Sequence, residues 1–176
     1  MTYALSVLGE DRPGIVADVS ECLLDLGFNI EDLTQTILQG EFAAIFIVSG
    51  GEPTGLEATL REHLRRRGLS LKVKPVARSE RQASALAAWA FVVTTTGPDC
   101  PGQIAAFSRV MSSFGCNITN LKAIKREETF SMIFEIDVLS GTDLTDFKSR
   151  IDVTAARFGL SSSVQHREIF EAINRI

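Results

Sequence analysis

The feature that most constrains this chain is an internal repeat. Gly9-x-Asp11-x-Pro13-Gly14 recurs 88 residues later as Gly97-x-Asp99-x-Pro101-Gly102. The same offset carries Ala17 onto Ala105, Ser20 onto Ser108, Gly27 onto Gly115, Asn29-Ile30 onto Asn117-Ile118 and Leu33 onto Leu121. It also carries Phe42 onto Phe130 and Ile45-Phe46 onto Ile133-Phe134, and it needs no gap from Gly9 to Val48. Solenoid units repeat every 20–50 residues or so. A period of 88 suits instead a duplicated domain large enough to own a core. Two domains are therefore expected, over residues 1–77 and 89–176, with a linker over 78–88. Within that linker Arg78 to Ala85 is polar and Ala-rich and lacks the apolar pattern of its flanks, as a flexible link or a short connecting helix would.

Each copy reads as βαββαβ. In the first, Tyr3, Leu5 and Val7 alternate as a strand does, and Gly9 to Pro13 break the pattern. Pro13 suits the first turn of a helix, where a missing N–H costs nothing. Ile15, Val19, Cys22 and Leu26 then follow at helical spacing until Gly27 stops them. Asn29 to Leu38 and Glu41 to Val48 read as strands joined at Gln39-Gly40, a turn short enough to force antiparallel pairing. Leu56, Leu60 and Leu64 mark a second helix, and Leu69, Leu71 and Val73 a last strand. The second copy repeats the order. A strand at Phe91–Thr95 precedes a helix carrying Ile104, Phe107, Met111 and Phe114. Strands near Cys116–Lys125 and Phe130–Val138 lead to a helix marked by Phe147, Ile151 and Ala155, and a strand to His166 ends the unit. The expected class is α+β, two tandem ferredoxin-like domains whose antiparallel sheets carry two helices on one face. The free face of the first sheet should be apolar, because Phe42 to Val48 is apolar on both sides. The second alternates with Ser131, Glu135 and Asp137. An apolar free face calls for burial against the sister domain or a second chain.

The repeated motif lies between the first strand and the first helix, whose N-terminus offers unpaired N–H groups and partial positive charge to a carboxylate. Gly14 and Gly102 would let a ligand approach the backbone, and Asn29 and Asn117 would supply an amide donor and acceptor. These groups suit a zwitterion. The alternative is plain punctuation: Asp11 and Asp99 cap the helix, the prolines fix its start, and the asparagines take positive-φ turns.

Gly9-x-Asp11-Arg12-Pro13-Gly14-Ile15-Val16, Gly27-x-Asn29-Ile30 and the βαββαβ order resemble the ACT domain, a small-molecule-binding module of amino-acid metabolism. The resemblance covers both halves. Two such units with no attached enzyme, ending in His166-Arg167-Glu168-Ile169-Phe170-Glu171-Ala172-Ile173, are similar in particular to the glycine cleavage system repressor family. This implies an amino-acid effector bound near the loop at a domain or subunit interface. The implied contacts are Asp11, Arg12, Pro13, Gly14, Asn29 and Ile30, then Asp99, Cys100, Pro101, Gly102, Asn117 and Ile118. It also implies control of transcription through a DNA-binding protein partner, with a homodimer expected and no cofactor. The second copy departs from the pattern at Cys100 and Gln103, where the first has Arg12 and Ile15. Two other readings stay open: a detached regulatory subunit of a metabolic enzyme, or a purely structural dimerisation module.

Other functions find little support. His63 and His166 occupy unmatched positions without nearby metal-ligand spacing, so no metal is expected. Common nucleophile, phosphate-loop and zinc-protease motifs are missing, and no enzyme activity is expected. A net charge of −4 opposes direct nucleic-acid binding. The basic cluster Arg61, Arg65, Arg66, Arg67 falls at the end of a helix, where cations meet the helix dipole favourably. No stretch reaches the roughly 18 apolar residues of a membrane span, and no secretory leader is apparent, which points to the cytoplasm. Cys22, Cys100 and Cys116 should be reduced thiols, Cys100 being a small loop residue before a redox sensor. Trp89 and Phe91 read as core or interface, and the helical stripe Ile169, Phe170, Ile173, Ile176 as internal packing.

Overall fold

A computed structural model describes residues 1–51, 56–76 and 88–174. The expected linker at 78–88 therefore lies, but for Ala88, outside the described residues, as does Ile176. The chain divides into two compact units, Met1–Gln82 and Ala83–Ile176.

The first unit runs β1 Thr2–Glu10, α1 Ile15–Asp25, β2 Phe28–Leu38, β3 Glu41–Gly50, α2 Leu56–Arg65 and β4 Ser70–Val76. Its strands pair antiparallel in the order β2-β3-β1-β4, which puts β1 and β3 in the middle. The second unit runs β5 Ala88–Pro98, α3 Gln103–Ser113, β6 Asn117–Arg126, β7 Thr129–Leu139, α4 Leu144–Arg157 and β8 Ser161–His166, in the order β6-β7-β5-β8. A short α5, Arg167–Asn174, follows. The expected class, two ferredoxin-like α+β domains, is the one the chain adopts.

Period-two alternation builds each core. Tyr3, Leu5 and Val7 of β1 and Phe42, Ala44, Phe46 and Val48 of β3 point to the helices and are buried with Ile15, Val19, Leu23, Leu60 and Leu64. Phe91 and Val93 on β5, with Met132, Phe134, Ile136 and Val138 on β7, form the equivalent layer under Phe107, Met111, Phe147 and Ile151. Gln39 and Gly40 both take positive φ, 55° and 82°, as a two-residue primed hairpin turn requires. That turn fixes the register, with Ile37 opposite Phe42 and Leu33 opposite Phe46.

Several expectations need correcting. Pro13 is not in the first helical turn: α1 begins at Ile15 with Gly14 as its N-cap, so Pro13 precedes the cap. The spacing of α3 put Ile104 inward, yet Ile104 is 40% exposed and Gln103 is buried. With Phe107 and Met111 buried as expected, at about 100° per residue Gln103 stands about 40° from Phe107 and Ile104 about 60° to the other side, at the edge of the buried face. Leu23, not Leu26, completes the buried face of α1. On α5, Ile169 and Ile173 are exposed while Arg167 and Phe170 are half-buried. At 3.6 residues per turn Arg167 and Phe170 share one side, and Ile169 and Ile173 turn away from it.

The free faces differ as the alternation predicts. On the first, Ala43, Ile45 and Ile47 of β3 stand opposite Leu8, Ser6 and Ala4 of β1, and Ile45 and Leu8 are exposed. On the second, Arg167 reaches from α5 to Glu135 (3.7 Å), Asp137 (3.9 Å) and Thr119 (3.4 Å), and Val92 of β5 is buried on that same side. The arginine cluster of α2 is occupied locally. Arg61 pairs with Glu57, Arg65 and Arg66 with Glu62, and Arg67 donates to the His63 carbonyl.

Candidate ligand-binding site

Both motif loops leave the central strand, turn through a glycine and enter a helix. Gly9 is needed for packing. A Cβ there would meet Leu69 Cδ2 at 2.8 Å and the Gly68 carbonyl oxygen at 2.9 Å, and Gly97 stands in the same relation to Leu160 (2.8 Å) and Gly159 (2.9 Å). Gly14 and Gly102 are needed for conformation. Their φ values of 91° and 89° are left-handed, and the space where a Cβ would stand is open. The loop is pinned to the neighbouring hairpin by the Asp11 N–H, which donates to the Gly40 carbonyl at 2.8 Å.

This geometry disposes of the capping alternative. Gly14 and Gly102 are the N-caps, neither helix receives a side-chain cap, and the Asp99 carboxylate accepts instead from Lys125. By contrast Asp143 caps α4 in the usual way, accepting from the N–H groups of Thr145 (2.9 Å) and Asp146 (3.1 Å). The first turns of α1 and α3 thus keep donors without a capping side chain beside an open cleft. The asparagine alternative fails as well, since Asn29 and Asn117 lie in strands and are not among the positive-φ residues.

The first cleft, about 310 Å³, is lined by Asp11, Arg12 and Gly14, the start of α1 (Ile15, Val16, Ala17), and Gln35, Ile37 and Phe42 from the hairpin. Arg12 donates to Asp18 Oδ2 at 2.8 Å, and Arg67 approaches the same oxygen at 3.2 Å. The Arg12 hydrogen bond holds the Asp18 carboxyl below the usual carboxylate range, with partial burial opposing it and the Arg67 charge adding to it. The second cleft, about 480 Å³, is lined by Asp99 to Ala105 and Phe130. Here Lys125 Nζ donates to Asp99 Oδ2 at 2.7 Å. Gln103 Nε2 donates to the Pro98 carbonyl at 2.8 Å, and its Oε1 is buried with no partner. Thr95 Oγ1, on the strand leading to the loop, is likewise buried and unpartnered. Leaving such a group unsatisfied costs about 1–3 kcal/mol. Cys22, Cys100 and Cys116 are free, and burial pushes the Cys22 and Cys116 thiols up.

The structure thus brings Asp11, Arg12 and Gly14 together in one cleft and Asp99, Cys100, Pro101 and Gly102 in the other, with Pro13 in the same loop as the first set. It does not bring Asn29 and Ile30, or Asn117 and Ile118, to those clefts within their own units. Asn29 pairs with Ser49 and Asn117 with Asp137, seven residues along the strand from Phe42 and Phe130, which face Gly9 and Gly97. At about 3.4 Å per residue the gap is roughly 24 Å. Gln35, Ile37 and Phe42 were not expected in the first cleft, nor Lys125 and Phe130 beside the second. The hairpin register carries the signal for them, because Ile37 faces Phe42 and Lys125 faces Phe130. Among the described residues no group of three or more His, Cys, Asp or Glu could hold a metal, and no helix is long and apolar enough to cross a membrane.

Against known proteins, the ACT domain model matches twice, at residues 3–74 and 90–165. A UPF0237 protein of Methanopyrus kandleri is 41% identical over 81 residues, 46% of this chain and 90% of that protein. One from Streptococcus mutans is 42% identical over 74 residues, 42% of this chain and 83% of that protein. Two crystal structures follow the fold over nearly the full length. An unknown protein from Galdieria sulphuraria has a TM-score of 0.77 at 22% identity, covering 94% of this chain and 97% of its own. A protein proposed to be a glycine cleavage system transcriptional repressor has a TM-score of 0.70 at 20% identity, covering 93% and 95%.

Proposed function

The chain belongs to the ACT-domain family, once in each half, and from that premise we propose that it is a non-enzymatic regulator that binds an amino acid and acts through a protein partner. The observation that carries the reading is the duplicated cleft over a helix N-terminus without a side-chain cap. Left-handed Gly14 and Gly102 cap α1 and α3 with open space beside them, and an amino-acid carboxylate seated there satisfies the first-turn donors and the helix dipole. The cleft volumes fall at the lower end of the roughly 300–1,000 Å³ of small-molecule sites. The ligands we assign remain the motif residues of each loop together with Asn29, Ile30, Asn117 and Ile118.

The asparagines join the site through a second chain. β2 is an edge strand, exposed from Glu31 to Leu38, with Leu33, Ile37 and Leu38 among its exposed side chains. Antiparallel pairing of β2 with its counterpart sets the start of one strand beside the end of the other. The partner subunit's Asn29 then approaches Gln35 and Ile37 at the first cleft. A ligand shared in this way couples binding to assembly, which is what a switch needs. Control of glycine cleavage genes draws on the full-length likeness in fold to the proposed repressor. With a net charge of −4, contact with a DNA-binding protein suits this chain better than contact with DNA, and the cytoplasm is its proposed location.

The test is a thermal-shift screen of the purified chain against the twenty amino acids, with calorimetry on any hit and on Asn29→Ala and Asn117→Ala. A ligand that binds the folded state raises the melting temperature with concentration. One stabilising amino acid, weakened by at least one of the two substitutions, is the expected result. No response at millimolar concentrations refutes amino-acid sensing and leaves a dimerisation module.

A further inference from the structure

The two clefts share a backbone and differ in the groups that recognise a zwitterion. Ile15, which lines the first, and Val7, on the strand leading to it, are buried and apolar. The repeat-equivalent residues are Gln103, which lines the second, and Thr95, on the strand leading to it, 1% and 2% exposed. Gln103 lines the second cleft, and its Nε2 is committed to the Pro98 carbonyl, which fixes the amide's orientation and leaves Oε1 as an acceptor without a donor. At the rim, the position of Ile37 is taken by Lys125, whose ammonium stands 2.7 Å from the Asp99 carboxylate. The Arg12–Asp18 pair of the first cleft is absent, replaced by Cys100 and Ala106. Around the donors of α3, the second cleft therefore presents one cation, one anion and one floor acceptor in want of a donor. The first has neither the lysine nor the acceptor.

We propose that the second cleft is the effector site of this chain and that it takes a small zwitterionic α-amino acid. The carboxylate lies on Lys125 Nζ and the α3 N–H groups and the ammonium on Asp99, and a small shift of the Gln103 side chain uncovers its buried Oε1 as the ammonium's second acceptor. The ligand's two charges replace the Lys125–Asp99 ion pair, so each partner exchanges one charge-assisted hydrogen bond for another. A lone carboxylate strands Asp99 and the Gln103 acceptor, and a lone amine strands Lys125, so binding demands both charges on one small molecule. This inference rests on the amino-acid reading above and narrows it to one cleft and one recognition chemistry.

The experiment is calorimetry and amide NMR titration of the full chain with glycine, alanine and serine, using acetate and ethylamine as single-charge probes. The expected result is one equivalent of amino acid per chain, shifts at the Gly102–Ala105 amides, and no measurable binding of either probe. Gln103→Ile, which installs the first repeat's own residue, and Lys125→Ile should each weaken binding roughly tenfold or more, the scale of one hydrogen bond to a charged group. Lys125 is exposed, so its variant reports on binding even where the floor substitution disturbs the fold. Shifts confined to Gly14–Ala17, two equal equivalents, or wild-type affinity in both variants overturn this assignment and leave the amino-acid reading standing. Silence with all three amino acids overturns the assignment, and the reading itself falls only if the wider screen is silent too.

Discussion

Gly97→Ala separates what the motif's first glycine does for the fold from what it does for a ligand. A Cβ at residue 97 would lie 2.8 Å from Leu160 Cδ2, 2.9 Å from the Gly159 carbonyl oxygen and 3.1 Å from Leu160 Cα. Two of those three atoms are backbone. Neither can yield easily, because β5 is held by β7 on one side and β8 on the other, and Leu160 is buried. Overpacking of this kind costs about 1–3 kcal/mol. Loss of the glycine's unfolded-state freedom returns about 0.4–1 kcal/mol. The net cost is about 1–2 kcal/mol, which lowers a urea midpoint by about 0.5–1 M for an m-value near 2 kcal/mol/M. The assay is intrinsic fluorescence, since the chain's one tryptophan, Trp89, sits in β5, the substituted strand. A midpoint unchanged within about 0.2 M would refute the argument that close approach, not ligand access, requires glycine there.

Asp18→Asn should weaken the first unit in a pH-dependent way. The Arg12 hydrogen bond depresses the native carboxyl, so the unfolded chain binds the proton more tightly. The stabilisation is then fully present above the ordinary carboxylate value of about 4 and lost as pH falls through the lower native one. Urea midpoints of wild type and variant, followed by circular dichroism, should differ at pH 7 and converge on acidification, and a gap that persists at low pH contradicts the assignment. Thr95→Val should be stabilising by up to about 1 kcal/mol, because it removes a buried hydroxyl without a partner and installs the side chain that the first repeat carries at Val7. A lowered Trp89 midpoint would show instead that Oγ1 is satisfied in solution.

The fold was legible because its signals are local and duplicated. Apolar alternation names the strands, and Gln39-Gly40 dictates the hairpin and its register. Positions where a side chain cannot fit, Gly9 and Gly97, or where φ must be positive, Gly14 and Gly102, repeat unchanged. The site was legible only in part. Asp11 and Asp99 look like caps because capping statistics favour aspartate before a helix. Nothing local reveals that the chain makes a left-handed turn first and caps with glycine three residues later. Gln103 and Ile104 could not be ordered from spacing alone, since they stand about 40° and 60° to either side of Phe107 around the helix and both fit the apolar face. Asn29 and Asn117 sit close to the loops in sequence and at the far end of the sheet in space, because the intervening helix returns the chain to the opposite edge of the unit.

Duplication makes these failures informative. Residues that the backbone requires survive in both copies, and residues in or beside the clefts are free to diverge, as Arg12 and Cys100, Ile15 and Gln103, Asp18 and Ala106, and Ile37 and Lys125 have done. Three of those four differences add or remove a charge, and the fourth buries an amide where its twin buries a hydrocarbon. Burying an unsatisfied amide oxygen is costly to the isolated domain, and the apolar alternative is demonstrated 88 residues away in the same chain. A fold that tolerates the cheaper residue at one site and keeps the expensive one at the other is most simply explained if a donor arrives at the second.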